Sequence, residues 1–409
     1  MPKSVQQQLL SRLPVEWQPT LVELLNRMRK ELSKGPFESE IEAITSQFFE
    51  AGMKHPDVSN EIYQELERLG LGNTTKPSFT FIDLFAGIGG FRLALMNIGG
   101  RAVFSSEWDQ KAKSTYFENH GEYPYGDISN FTDETVSDNR LGALIPSHDL
   151  LAAGFPCQPF SLAGVSARNS LGIPHGLECK TQGTLFRSIE RIASVKRPKI
   201  LFLENVKNIT SHDNGKTFSV IKNSIENAGY KFFFKVVNSE TLVPQRRQRC
   251  FMVCVRNDIH EKFGDFEFPT FEGEPKPLRS VIRESVDSKY NLSTALWNGH
   301  IARSERNKNR GTGFTTGLAD LNKPSNTIVA RYGKDGKECL ISQIDKPPRT
   351  LSIEECRDLF GYPESFSLPD AKTVAFKLLG NSVVVPVVQR IAEAIAGQYK
   401  LKSENSSNY

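Results

Sequence analysis

From Ser78 to about Asn257 the chain alternates short apolar runs with helical stretches, and this rhythm limits the folds open to it more than any other feature. SFTFIDLF reads as a buried strand, AGIGG as a glycine turn and FRLALMNIG as a helix. RAVFSSE and DQKAKSTYFENHG repeat the pair. HDLLAAGF, PKILFLENV, KFFFKVVNS and RCFMVCVRN are further strands, with helices around Gly183–Lys196 and Lys216–Ala228. Strands and helices of these lengths in alternation predict an α/β fold built on a doubly wound, mostly parallel sheet. A hydrophobic share of 38% supplies its core, and 24% charged residues argue against general disorder.

The flanks read differently. Residues 1–77 are expected to form an N-terminal helical extension, because Leu21, Leu25, Met28 and Leu32 recur at helical spacing and LGLGNTTKPS then breaks the pattern. A helical cap, a dimer surface and an accessory helix-turn-helix all suit it. Residues 78–257 form the expected catalytic unit. Residues 258–372 hold many of the prolines and glycines and read as a smaller, irregular, β-rich unit of short strands and polar loops. Within it, RSERNKNRGTGF clusters Arg303, Arg306, Lys308 and Arg310. A solvated loop accounts for such a run, and so does contact with a nucleic-acid backbone. Residues 373–400 return to the α/β unit with a last helix, and 401–409 form a tail.

Two features exclude other classes. The six cysteines contain no Cys-x-x-Cys pair, so neither a zinc ribbon nor a redox dithiol is expected, and no metal site. No signal-like start and no continuous apolar run near ~18 residues is present, so a cytoplasmic protein without membrane contact is expected. The net charge of +4 permits a nucleic-acid partner without requiring one.

The glycine turn after the first strand has Gly87, Gly89 and Gly90, but Arg92 stands where a dinucleotide fingerprint needs its third glycine. The second strand ends in Glu107, an acid able to accept both hydroxyls of a ribose, followed by Trp108, a flat surface for an adenine. YGDIS places Asp127 where an acceptor could read an adenine amino group. Without a pyrophosphate cradle, S-adenosylmethionine fits this end of the sheet better than NAD.

In AAGFPCQPFS, Cys157 stands between Pro156 and Pro159, on a loop just past the strand HDLLAAGF. Ligands of open α/β sheets bind at that edge, and the prolines stiffen the loop. A structural cysteine is the competing reading. PKILFLENV ends in Glu204, an acid just past a strongly apolar run, where a carboxyl group tends to stay protonated. A nucleophile beside a proton donor makes an addition site. Arg247 and Arg249 alternate into a following strand and share a face.

Taken together, FIDLFAGIGGF, SSEWD, YGDI, GFPCQPFS, TQGTLF, LENVKN, PQRRQR, RTLSIEECRDLFGYP and GNSVVVPVV resemble, in order, the motif series of bacterial DNA cytosine-5 methyltransferases. The likeness covers residues 78 to about 400. It implies a Rossmann-like fold of the class I methyltransferase type and S-adenosylmethionine as cofactor. By the same resemblance Cys157 is the nucleophile that adds to cytosine C6, and Glu204 the acid that holds N3 and the exocyclic amine. Arg247 contacts the target base and Arg249 supports that site. Phe85, Gly87, Gly89, Glu107, Trp108, Asp127, Ile128, Pro156, Leu185, Asn381 and Ser382 line the cofactor pocket. Gln158 and Ser161 belong to a catalytic loop that closes over DNA. Thr327-Ile328 matches a Thr-aliphatic pair of the recognition region, where Arg303, Arg306, Arg310 and Thr327 are candidate DNA contacts.

RGTGF, ARYGKDG and FSLAGVSARNSLG are similar to blocks of the EcoRII/Dcm-like subgroup, which implies the inner cytosine of CCWGG or CCNGG as target. The expected partner is double-stranded DNA, bound by a monomer. A cognate restriction endonuclease would share the site without forming a stable complex. A transfer-RNA cytosine-5 methyltransferase and a non-catalytic DNA-binding relative remain as alternatives.

Overall fold

The computed structural model describes residues 77–156, 183–311 and 317–401. The expected helical extension and the tail therefore lie outside the described residues, apart from Pro77 and Leu401. In the α/β unit the chain runs β1 (Phe79–Leu84), α1 (Gly90–Asn97), β2 (Gly100–Ser106), α2 (Gln110–His120), α3 (Ser129–Thr132), α4 (Asp138–Leu144) and β3 (Leu150–Gly154). It continues through α5 (Gly183–Lys196), β4 (Ile200–Val206), α6 (Lys216–Asn227), β5 (Tyr230–Asn238), β6 (Gln248–Arg256) and α7 (Asn257–Phe263).

The six strands form one sheet in the order β2-β1-β3-β4-β6-β5. Strands β1 to β4 run parallel, and β6 is antiparallel to both β4 and β5. The sheet is thus mostly parallel, as the alternation predicts. Central strands covered by helices on both faces need apolar side chains throughout, and LLAA of β3 and ILFLE of β4 are buried without interruption. The chain leaves β1 toward β2 on one side and returns to β3 on the other. Their carboxyl ends therefore border a topological switch point, where open α/β sheets bind ligands.

One apolar cluster joins Phe81, Phe91 and Phe202 to Tyr332, Phe360, Phe376 and Ile391. The other, around Leu151, Phe186, Ile189 and Ile221, packs α5 and α6 on the opposite face. Helix starts follow local chemistry. The Asp109 carboxylate accepts from the N–H groups of Lys111 and Ala112 to open α2, and Gly121 closes it in the left-handed region.

Beyond α7 come α8 (Thr294–Asn309), α9 (Tyr332–Asp335), β7 (Ile341–Gln343), β8 (Lys346–Arg349) and α10 (Ile353–Leu359). This region is irregular, but two expectations change. Its named strands among the described residues are the β7–β8 pair, so it is not rich in strand. Pro269, Pro275 and Pro277 lack the N–H that a ladder needs. The basic run is not a loop either: residues 294–309 are helical, opened by Ser293, whose hydroxyl accepts from Leu296 N–H. Basic side chains in the last turn suit the negative end of the helix dipole. In α10, Ser352 and Glu355 form a capping box, and Glu355, fully buried, is gripped by both guanidinium nitrogens of Arg349 at 2.7 and 2.8 Å.

Helices α11 (Lys372–Gly380) and α12 (Val385–Gln398) return to the sheet. Together they span 27 residues apolar and long enough to cross a membrane, but 67% of the most apolar window is buried inside the protein. Asn381 to Val384 break the stretch, and α12 packs on α1.

Candidate active site

The first half of the site grows from the end of β1. Phe85 has φ 55°, and Gly87 and Gly89 have φ 56° and 85°. A bulky residue in the left-handed region is strained, and such outliers gather at functional turns. The turn is fastened to β2 by Ala86 N–H on Ser106 O at 3.0 Å. Gly87 N–H donates to Glu107 Oε2 and Asp109 N–H to Oε1, each at 2.8 Å. Burial pushes the Glu107 carboxyl up, while these N–H donors pull it back. Glu107 N–H bonds Tyr125 O and the Ser106 hydroxyl bonds Gly126 O, which brings Asp127 beside the same edge. Asp127 is exposed, and its Oδ1 accepts from Ser129 N–H. Trp108 is 75% exposed, an uncovered indole. Phe85 and Leu185, half-buried, pack against the cluster that contains Ile128.

The C-terminal segment reaches this turn across almost three hundred residues of chain. A Cβ on Gly90 would lie 2.7 Å from both Tyr362 Oη and Val383 Cγ2 and 3.2 Å from Ser382 Oγ, so only glycine admits that approach. Ser382 Oγ and Tyr362 Oη are 2.6 Å apart. Asn381 is exposed at the same turn.

Sequence reasoning missed Asp83. It sits inside β1, is fully buried, and neither carboxyl oxygen has a hydrogen-bond partner of normal geometry. Burial pushes it well above the usual carboxylate range, and the Arg92 charge opposes that. The available signal was an aspartate in a mostly apolar strand. Arg92, where the glycine fingerprint fails, is itself buried and bonds Tyr116 Oη at 3.0 Å and Glu122 Oε2 at 2.6 Å.

The second half lies at the ends of β3, β4 and β6. Glu204 pairs with Gly154 of β3 and Phe251 of β6 and is 8% exposed. Arg249 Nε stands 3.0 Å from Glu204 Oε1. Burial pushes the Glu204 carboxyl up, and the charges of Arg249 and Arg247 pull it part of the way back. Asn205 Nδ2 bonds Phe155 O at 3.3 Å, which ties the end of β4 to the residue before Pro156. A small cleft beside Glu204 is lined by Ser239, Arg247, Arg249, Phe251 and Val383. Pro156, half-buried, ends the described part of this loop; Cys157, Gln158 and Ser161 lie outside the described residues.

The structure gives the two arginines different partners. Arg249, read as a support, is the one that reaches Glu204. Arg247, read as the base contact, is 3% exposed and holds three carbonyls: Ile328 O at 2.9 Å, Gly380 O at 3.0 Å and Ser382 O at 2.7 Å. Alternation put both on one face of β6 but could not say which would meet Ile328, Gly380 and Ser382. Thr327 is half-buried, and its hydroxyl donates to Arg246 O at 2.6 Å, so in this structure it anchors the segment to the residues entering β6. Arg303, Arg306 and Arg310 are exposed on and just beyond α8, at i, i+3 and i+7, which places them on one helical face.

Of the six cysteines, Cys250, Cys254, Cys339 and Cys356 are free and buried. Burial pushes Cys250 and Cys339 up to about 12 and the other two well above the usual thiol range. Protonated, enclosed thiols of this kind are unreactive.

A profile of the family described as C-5 cytosine-specific DNA methylase matches residues 79–397. The chain is 41% identical over 326 residues to the Type II methyltransferase M.SsoII of Shigella sonnei, covering 79% of this chain and 81% of that one. It is 38% identical over 371 residues to the DNA-cytosine methyltransferase of Escherichia coli, covering 79% and 78% respectively. Among solved structures, the Entamoeba histolytica methyltransferase EhMeth superposes with a TM-score of 0.61 at 17% identity, over 80% of this chain and all of that one. A putative DNA modification methyltransferase encoded within an E. coli prophage does so with 0.56 at 19%, over 79% and 100%. These two likenesses speak for the fold. The match across most of the chain, together with relatives near 40% identity, establishes that the protein belongs to the C-5 cytosine-specific DNA methylase family.

Proposed function

We propose that the protein methylates cytosine C5 in duplex DNA with S-adenosylmethionine as donor, and that it protects host DNA in a restriction-modification system. The observation that carries this reading is Glu204: a buried acid at the carboxyl edge of the sheet, paired with Arg249, beside the loop that leads into Cys157.

The chain's own residues suit the donor. A Cβ built on Gly87 meets nothing within 4 Å, so the turn opens onto free space. Trp108 offers an uncovered face for an adenine, and Glu107 keeps lone pairs for ribose hydroxyls beside the two N–H groups that orient it. Burial raises the pKa of the Asp83 carboxyl behind the turn, and a cationic ligand bound nearby would favour its ionised form. Asp127, Asn381 and Ser382 supply polar contacts at the rim. Bound there, S-adenosylmethionine supplies a methyl group on a positively charged sulfur, an electrophile for an activated ring carbon.

Cytosine C5 is too weak a nucleophile to take that methyl group unaided. The Cys157 thiolate adds to C6, and the electron pair of the C5–C6 bond moves toward C5 and N3. Glu204 gives its proton to N3 and neutralises the charge that develops there. Burial pushes its pKa up, in the direction that favours this donation. Arg249 fixes the carboxyl group and limits that rise. After C5 is methylated, loss of its proton expels Cys157 and restores the ring. The base must leave the helix to be reached, at a cost of roughly a few kcal/mol. Phosphate contacts by the basic face of α8 would offset it.

Bisulfite sequencing of DNA from a host expressing the protein, in a strain without other cytosine methylation, tests the activity and reads the target. Methylation of the inner cytosine of CCWGG or CCNGG is expected. Methylation elsewhere overturns the subgroup reading alone; none at any site overturns the activity.

A further inference from the structure

The recognition region and the donor turn meet at one buried arginine. Residues 325–328, which return from the recognition region, are zipped to the residues entering β6. Ser325 N–H bonds Pro244 O, Arg246 N–H bonds Ser325 O, and Ile328 N–H bonds the fully buried Gln245 Oε1 at 2.9 Å. Arg247 then takes the Ile328 carbonyl with one nitrogen and the carbonyls of Gly380 and Ser382 with the other. Its guanidinium carbon lies 5.0 Å from the centre of the Phe360 ring. The two backbone segments also touch directly. A Cβ on Gly380 would fall 2.3 Å from both the Val329 carbonyl carbon and the Ala330 nitrogen, so these segments run against each other with no room for a side chain.

We infer that Arg247 is a positioning residue that couples residues 325–330 to the donor turn 380–382, so that ordering of one orders the other. This rests on the donor reading of the Ser382 side of the site. The chemistry of the residue favours coupling over mere packing. A pin that only filled space would be cheaper as an apolar side chain, because a buried cation must be compensated. Arg247 gets its compensation from carbonyls on two separate segments, which only a planar fork can span. A lysine, a point charge on a flexible stem, can satisfy one segment while releasing the other. Any ligand that immobilises the 380–382 carbonyls therefore also fixes Ile328, and the relation is reciprocal.

Hydrogen exchange of the full chain, with S-adenosylhomocysteine as probe, tests this. In the unaltered protein the probe is expected to slow exchange in peptides covering 380–383 and 326–331 with one common midpoint. In Arg247→Lys the 380–383 response should persist with a midpoint about 5–10-fold higher, while the 326–331 response falls to a third or less. The same variant should raise the donor KM by about 5-fold or more. Protection of 380–383 without any response at 326–331 in the unaltered protein overturns the coupling, whether or not the variant folds. A kcat loss with unchanged donor KM also overturns it. No response at 380–383 or at 85–90 means that the donor reading fails, and the coupling with it.

Discussion

Arg249 Nε lies 3.0 Å from Glu204 Oε1, and the two side chains are 16% and 11% exposed. Their backbones come from neighbouring antiparallel strands, where Val206 pairs with Arg249 and Glu204 with Phe251. The pair is thus set by sheet register: Arg249 stands at the last pair of the ladder and Glu204 two pairs further in. A half-enclosed ion pair is strongly destabilised when one member is removed. Arg249→Ala should lower stability by about 2–4 kcal/mol and methyl transfer by ~100-fold or more. Adding Glu204→Gln to that variant should recover part of the stability and none of the activity. Denaturant titration and labelled-methyl transfer read the two effects separately.

Asp83 predicts a trade between stability and ligand binding. Its ordinary value is 3.8, and burial raises it in the fold. The folded chain therefore holds this proton more tightly than the unfolded chain. The stabilisation is complete below the unfolded value and is lost as pH rises through the folded one. Asp83→Asn removes that loss. Relative to the unaltered protein, the variant should gain stability as pH rises above the ordinary value of 3.8, by ~1.4 kcal/mol for each unit of displacement. It should also bind S-adenosylmethionine more weakly, because the amide cannot ionise to answer the sulfonium charge. Melting curves across pH with calorimetric titration check both; a variant that gains nothing with rising pH contradicts the assignment.

Trp108 gives the opposite profile. With its indole 75% exposed, little packing is lost in Trp108→Ala, and the melting temperature should move by no more than a degree or two. If the ring stacks on adenine, a contact worth about 1–3 kcal/mol, donor affinity should fall ~5–150-fold. Calorimetry with S-adenosylhomocysteine separates this from a surface tryptophan without function, which would leave affinity unchanged.

Arg303, Arg306 and Arg310 should behave as backbone or base-edge contacts. Each alanine substitution should leave stability within about 0.5 kcal/mol, since all three are exposed. A phosphate contact should weaken duplex binding at every sequence and reduce the salt slope by about 1; a base contact should relax specificity at one position instead. Binding isotherms at several salt concentrations, on target and scrambled duplexes, tell the two apart.

The α/β unit was legible because its signal is local: an apolar run of strand length, a turn, then a helical period. Glu107, Glu204 and the glycine turn stand out because a polar or flexible residue at the end of an apolar strand rarely serves packing. The rest depends on contacts between distant segments. Nothing near Arg247 in sequence says that its partners are at 328, 380 and 382, so its grip on those carbonyls could not be read there. The helix over 294–309 was hidden by a weakly amphipathic, strongly charged stretch, whose period is faint when few residues are buried; His300 is the one its helix buries. Asp83 was overlooked because a lone charged residue in a buried strand is easily read as noise, whereas its complete burial is visible only in three dimensions.

The central claim is that one thiol, Cys157, adds to a flipped cytosine while Glu204 protonates the ring. Duplex DNA carrying 5-fluorocytosine at the target blocks the final proton loss and should trap that adduct. With S-adenosylmethionine present, a protein–DNA species stable to detergent and of the summed mass is predicted, lost in Cys157→Ala and retained in Cys179→Ala. Persistence of the adduct in Cys157→Ala, or its attachment to any other residue, would contradict the account.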